Sequence, residues 1–255
     1  MLVCYLALLA LPSVPVMPPA AAQSAVTAAA PAPTVQDADL LYRDRERPAS
    51  ALAAEQIWAD RLAADAADFE AVWKLARARY WLGSNGPGAA NEKKRWLERG
   101  IAAARAAQAA RPNAVEGHFW LAANMGALAD AHGLRQGIRY RGAIKDALEK
   151  ALALQPSYLD GSPDRALGRW YFKVPGLFGG DARKSETHLR KALGYKPDSV
   201  ISLLFLAETL VELDRRTEAR ATLQAALDAA PDPDWAPEDA RFKAQARALL
   251  ASLER

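Results

Sequence analysis

VISLLFLAETLVELDRRTEARATLQAALDAAP, residues 200–231, decides how this chain folds. Apolar residues recur at helical spacing from Val200 to Val211. Leu206 and Ala207 stand where a helix must meet its partner closely, and Leu210 takes the next inward site. A second amphipathic run follows, with Ala219, Leu223 and Ala226 on one face, and Pro231 closes it. Small residues at those points let two backbones approach, and a larger side chain would overpack the contact.

The same register recurs three times upstream. Leu167-Gly168-Arg169-Trp170-Tyr171 is followed by Ser185, Leu189, Ala192 and Pro197. Leu121-Ala122 and Met125 are followed by Ile144, Leu148, Ala151 and Pro156. Trp73 and Tyr80 are followed by Gly100, Ala104, Ala107 and Pro112. Each closing proline has an alanine five residues before it, and Pro231 lies 34 residues after Pro197, the period of a tetratricopeptide repeat. Such repeats are helical hairpins that bury a shared core by stacking. No stretch alternates like a strand. The expected fold is therefore all-α, a tetratricopeptide-repeat-like solenoid of about four hairpins with flanking capping helices. Ala51–Ala66, with Leu52, Ile57, Trp58 and Leu62 apolar, reads as a helix covering the first hairpin. After Pro231 the turn-rich Asp232–Pro237 leads into a last helix ending near Leu253. Pro237 with Glu238 and Asp239 suits its start, where proline loses no hydrogen bond and acids meet the positive end of the dipole.

The expected domains are a secretory signal over 1–22, an Ala/Pro-rich tether over 23–48 and the solenoid over 49–255. Met1–Leu11 is nearly all apolar, and Ala20-Ala21-Ala22 offers a small-x-small cleavage site before Gln23. Cys4, the single cysteine, stands at the front of that run and not behind it, so the reading is a cleaved periplasmic protein and not a lipoprotein. The 255 residues, 51% hydrophobic and 25% charged, fit one globular array. A net charge of +3, with bases beside acids as in Glu92-Lys93-Lys94-Arg95, argues against a nucleic-acid partner.

The spacings from Pro112 to Pro156 and from Pro156 to Pro197 are 44 and 41 residues, so extra chain enters between the two helices of a hairpin. Residues 84–91, 132–141 and 173–180 are expected as three long loops side by side on one edge. Arg135, Arg139, Tyr140, Arg141, Lys173, Pro175 and Phe178 would give that edge a basic, partly aromatic character. It could receive a carboxylate or an acidic partner, or its arginines could simply cap carbonyls and pair with helix acids. The inner face is expected to present Lys74, Trp81, Glu116, Phe119, Arg169, Phe172, Leu204 and Glu208, a groove for a partner helix or a small organic ligand. Trp81 and Phe172 could equally pack beneath the long loops.

Two stretches carry a family resemblance. One is Glu116-Gly117-His118-Phe119-Trp120-Leu121-Ala122-Ala123-Asn124-Met125-Gly126. The other is Gly161-Ser162-Pro163-Asp164-Arg165-Ala166-Leu167-Gly168-Arg169-Trp170-Tyr171-Phe172-Lys173-Val174-Pro175-Gly176, followed by Gly179-Gly180-Asp181. Across about Val72–Leu227 the chain resembles the TRAP-transporter T-component family, also called TatT, and related wording occurs in eukaryotic regulators of microtubule dynamics. The first resemblance implies a periplasmic protein, trimeric in the type member, that docks a solute-binding protein of an organic-acid transporter and holds a ligand path through its repeats. Read physically, Ser162 suits an N-cap, Pro163 the first helical position and Asp164 the first turn, while Arg165 and Arg169 could pair with Asp160 or Glu116.

No catalytic, cofactor or metal site is expected. His118, His132 and His188 fall in three separate elements with no cysteine partner, and there is no Gly-x-Ser-x-Gly or phosphate-binding glycine loop. The expected function is a non-enzymatic periplasmic subunit for a TRAP solute receptor, or else a general envelope scaffold that holds peptides or partner helices. An enzyme with an unrecognised site is the third class.

Overall fold

The computed structural model describes residues 35–254, with backbone alone at 35, 36, 132 and 134–136. Among the described residues there are eleven α-helices and no strand. They run α1 (Val35–Arg43), α2 (Pro48–Ala64), α3 (Phe69–Asn85), α4 (Ala90–Ala110), α5 (Val115–His132) and α6 (Leu134–Leu154), then α7 (Ser162–Lys173), α8 (Ala182–Tyr195), α9 (Val200–Glu212), α10 (Arg216–Asp228) and α11 (Ala236–Leu253). Each helix packs on the next, and α3 on α5, α7 on α9 and α9 on α11 make the first-helix-to-first-helix contacts that stack hairpins. The expected all-α tetratricopeptide array is what forms, with α3/α4, α5/α6, α7/α8 and α9/α10 as its four hairpins.

The recurring prolines have a mechanical role. Arg111, Gln155 and Lys196 end α4, α6 and α8 in extended conformations near φ −140 to −154°. The proline that follows each of them clashes with a helical residue before it and forces the chain to turn. Side-chain caps start the next helices. Asp68 accepts from Ala71 N, Asp181 from Arg183 N and Lys184 N, and Ser199 from Ser202 N.

The apolar faces merge into three clusters, one across α1–α3, one across α3–α7 and one across α8–α11. Trp58, Leu189 and Leu223 have no exposed surface, and removing such a side chain typically costs about 2–5 kcal/mol. Gly168 is glycine because a Cβ would stand 2.6 Å from Leu189 Cγ across the α7–α8 contact.

Four expectations need correction. The signal over 1–22 and residues 23–34 of the tether lie outside the described residues, but 35–48 is not tether. There α1 buries Ala38 and Tyr42, one helical turn apart, with the Tyr42 ring 5.8 Å from that of Trp58. The extra chain of the first two hairpins lengthens helices more than loops. α4 and α6 are each 21 residues long, and α5 passes to α6 through Gly133 alone, which takes φ +79°, a left-handed value that glycine tolerates. Only the third hairpin carries a long loop, 174–181, with a 3-10 turn at Gly176–Phe178. Finally, Gly161, left-handed at φ +75°, caps α7 in place of Ser162, whose hydroxyl donates instead to Leu159 O at 2.6 Å.

Candidate functional site

Along the first half of the array the inner face is filled by α1, the α1–α2 turn and the start of α11. Lys74 Nζ donates to Asp39 Oδ2 at 2.5 Å and to Glu70 Oε1 at 2.8 Å, which ties α3 to α1. Arg77 bonds the same Asp39 at 3.0 Å and stacks 4.0 Å over Tyr42. Trp81 Nε1 donates to Arg45 O at 2.8 Å. Arg45, 3% exposed, lies between Tyr42 and Trp81 and donates to Glu238 Oε1 at 3.1 Å, Glu238 Oε2 at 2.5 Å and Asp234 O at 2.7 Å. The α1–α2 turn is thus clasped to the start of α11, and Arg241 of α11 bonds Asn85 at the end of α3. Burial pushes the Tyr42 phenol up to about 12, as expected of a group held in this dry layer.

Lys74, Trp81, Phe119 and Leu204 are therefore core, not groove surface. Phe119 packs edge-on against Trp120 and Tyr158, 5.2 and 5.3 Å between ring centres, and Glu116 is half-buried beside it. Trp81 follows the packing alternative, but its cover is the α1–α2 turn and not a loop.

The third and fourth hairpins leave a different surface. Arg169 bonds Glu208 across α7 and α9, and its guanidinium lies 4.1 Å from the Phe205 ring and 5.3 Å from that of Phe172. Arg169, Phe172, Phe205 and Glu208 are all half-buried. Three of the expected groove residues meet here, and Phe205 joins them from a position the repeat template did not mark. Neither arginine pairs as expected. Arg169 reaches Glu208, while Arg165, 7% exposed, donates to Ser162 Oγ and stacks 5.4 Å from the Trp235 ring. Arg165 lines a cavity of about 10 Å³ with Lys196, Asp232 and Trp235, room for one water. Burial pulls its guanidinium down to about 10.

The expected basic edge is assembled from helix starts and one loop. Arg139, Tyr140 and Arg141 stand in the second and third turns of α6, and of Arg135 only the backbone is described. Arg141 Nη1 caps Ile138 O at 2.6 Å, and its guanidinium lies 5.4 Å from the Phe178 ring. Trp170 Nε1 donates to Arg141 O at 2.9 Å, which joins α6 to α7 beneath the loop. Lys173 and Pro175 are exposed at the end of α7 and the start of the loop. The residue that sequence reasoning missed is Leu177, 90% exposed at the apex. Its signal was an aliphatic residue inside a Pro/Gly-rich loop.

The two quoted motifs are largely packing. A Cβ at Gly117 would come within 2.7 Å of Gln108 N, and a Cβ at Gly100 would overlap the Asn124 side chain. Fully buried Asn124 donates to Ala76 O at 3.1 Å and to Trp120 O at 2.8 Å, a bridge from α5 to α3. Asp164 accepts from His188 Nδ1 at 2.7 Å, and the His188 ring stacks 5.4 Å from that of Tyr171. Among the described residues no three His, Cys, Asp or Glu are grouped to hold a metal ion, and no helix is long and apolar enough to cross a membrane.

One solved structure and a repeat model agree with this architecture. A thermophilic tetratricopeptide-repeat protein of Thermus thermophilus superposes with a TM-score of 0.64 at 23% identity, covering 86% of this chain and 100% of that one. MamA from Desulfovibrio magneticus RS-1 gives a TM-score of 0.49 at 18% identity, over 76% of this chain and 96% of that one. No curated protein matches the chain. Residues 179–253 match a tetratricopeptide-repeat model. Residues 34–177, more than half of the sequence, match the model described as regulator of microtubule dynamics protein 1-3, and the chain belongs to that family.

Proposed function

We propose that this protein is a non-catalytic docking scaffold that holds a protein partner at the open end of its inner face, around Arg169, Phe172, Phe205 and Glu208. Tetratricopeptide arrays generally bind protein partners, and the observation that carries the placement is the contrast in burial. The first half of the inner face is sealed by Arg45, Tyr42 and Trp81, while this cluster keeps a half-exposed aromatic pair and an ion pair. Aromatics with one charged pair suit an amphipathic helix, whose apolar stripe covers Phe172 and Phe205 while a polar residue meets Arg169 or Glu208.

The narrower reading is the partner's identity. The T-component resemblance points to a periplasmic solute-binding protein of an organic-acid transporter, in a chain that self-associates as a trimer. The apolar Met1–Leu11 run before Ala20–Ala22 supports the periplasm as its compartment. The family description concerns microtubules, so polymerised tubulin is the competing partner. The test is a photo-crosslinker at Phe172 in the full chain, offered candidate solute receptors with and without organic acid and, separately, microtubules. Crosslinks to a receptor that vanish with Glu208→Lys support the reading. Crosslinks to microtubules alone, or capture unchanged by Glu208→Lys and Phe172→Ala, overturn it.

A further inference from the structure

We propose that the α7–α8 loop is a membrane-docking tip. Leu177 and Phe178 enter the interface of an anionic bilayer while Arg139, Arg141, Lys173 and Lys184 hold its headgroups. This goes beyond the protein-docking reading and does not depend on which protein occupies the inner face.

Leu177 does nothing for the fold. It is 90% exposed, while the loop that carries it is tightly built. Pro175 O accepts from Phe178 N at 2.8 Å and from Gly180 N at 3.3 Å, Gly176 O accepts from Gly179 N at 3.0 Å, and Asp181 N donates to Tyr171 O at 2.9 Å. Gly179 turns the chain at φ +104°. A frame so fully bonded could have folded its aliphatic side chain inward, and it presents it outward instead.

The cations follow the same order. Lys173 precedes the apex and Arg183 and Lys184 follow it, with Arg141 against Phe178 and Arg139 one residue before Tyr140. None of these five forms an ion pair among the described residues. Arg183 and Lys184 stand in the first turn of α8, where the helix dipole disfavours positive charge, so their placement is not explained by helix stability. The nearby acid, Asp181, is engaged as the α8 cap by Arg183 N and Lys184 N.

A lipid surface fits this arrangement better than a protein. A stable protein interface needs roughly 800 Å² from each partner with hydrogen-bond acceptors at fixed positions, more than a short loop with one protruding aliphatic presents. A fluid anionic surface asks only for an apolar apex and diffuse positive charge around it.

The test uses the full chain with Cys4→Ser, so that any contribution from its N-terminal segment is common to every sample. An environment-sensitive dye is placed at Leu177→Cys or, as control, at Ala109→Cys on the exposed end of α4. Vesicles are phosphatidylcholine alone or phosphatidylcholine with phosphatidylglycerol. The expected result is a blue shift of the dye at 177 with phosphatidylglycerol only, none at 109, and loss of the shift in high salt. In the unlabelled chain, Leu177→Glu weakens vesicle binding about tenfold, and each of Lys173→Gln and Arg139→Gln about fivefold. An unshifted dye at 177, an equal shift with phosphatidylcholine alone, or undiminished binding of Leu177→Glu overturns the proposal. So does a crosslink from 177 to an acidic protein in the native envelope in place of lipid. Because Leu177 is exposed, the melting temperature of each variant should match the parent, and this is checked in the same samples.

Discussion

The inner positions of α3 and α7 obey one repeat template and have opposite fates. In α3, Lys74 and Trp81 vanish beneath α1 and the Arg45–Glu238 clasp, whereas in α7, Arg169 and Phe172 stay half-exposed beside Phe205 and Glu208. Template position fixes which way a side chain points, not what covers it. The cover on α3 is a short helix and a turn that no repeat periodicity marks. The array is thus closed at its first hairpins and open at its last.

The clasp gives the largest way to break that contrast. Arg45→Ala leaves Glu238 buried without its partner and should cost about 3–5 kcal/mol in urea unfolding. Arg169→Ala, in the more exposed pair, should cost about 1 kcal/mol. Equal costs would mean that the closed half is not held by the clasp.

Packing offers a second probe. Gly100→Ala drives a methyl into Asn124 and should lose about 1–3 kcal/mol, while Gly194→Ala, which meets nothing within 4 Å on the exposed side of α8, should gain up to about 1 kcal/mol. The sequence shows both as glycines in helices. Only the neighbours separate them.

Alkaline titration sharpens the comparison further. The Tyr42 phenol is raised to about 12, so the folded state keeps its proton where the unfolded chain has lost it. The stability this contributes is present below pH 10 and disappears as pH rises towards 12, on the order of 2 kcal/mol. Burial also raises Tyr80 and Tyr158, which adds to the loss. Arg165, lowered to about 10, acts in the opposite sense, because the unfolded chain holds its proton more tightly above that pH. The net expectation is a falling urea midpoint from pH 9 to 11, made shallower by Tyr42→Phe. An unchanged slope in that variant would place the alkaline loss in groups other than Tyr42, Tyr80 and Tyr158 among them.

The last probe belongs to the open end. Phe172→Ala should change stability by less than about 1.5 kcal/mol, since the side chain is half-buried, and yet weaken partner capture in a pull-down with the unlabelled chain. A large loss of stability would make Phe172 core and the open end an illusion of the template.

Much of the architecture was legible because it is local. Prolines after Arg111, Gln155 and Lys196 end helices through sterics with their own neighbour, and Gly168, Ala192 and Ala226 mark close helix contacts by size alone. The candidate site was half legible. Arg169, Phe172 and Glu208 meet as the template implied, but Phe205 does not sit on a template position and Leu177 reads as ordinary loop filler. The expected loop at 132–141 failed because excess length does not say whether chain goes into a loop or into longer helices, and α5 and α6 took the helical option through Gly133.

The sequence by itself determined the helical hairpins, their period and their ends, because those depend on residues within one or two turns of each other. Tertiary structure alone decided which part of the inner face is free. Arg45 and Glu238 are separated by 193 positions, and each looks in isolation like a solvated charge. They become a buried pair only when the stacked hairpins bring the turn after α1 against the last helix, and that closure is written in no local pattern.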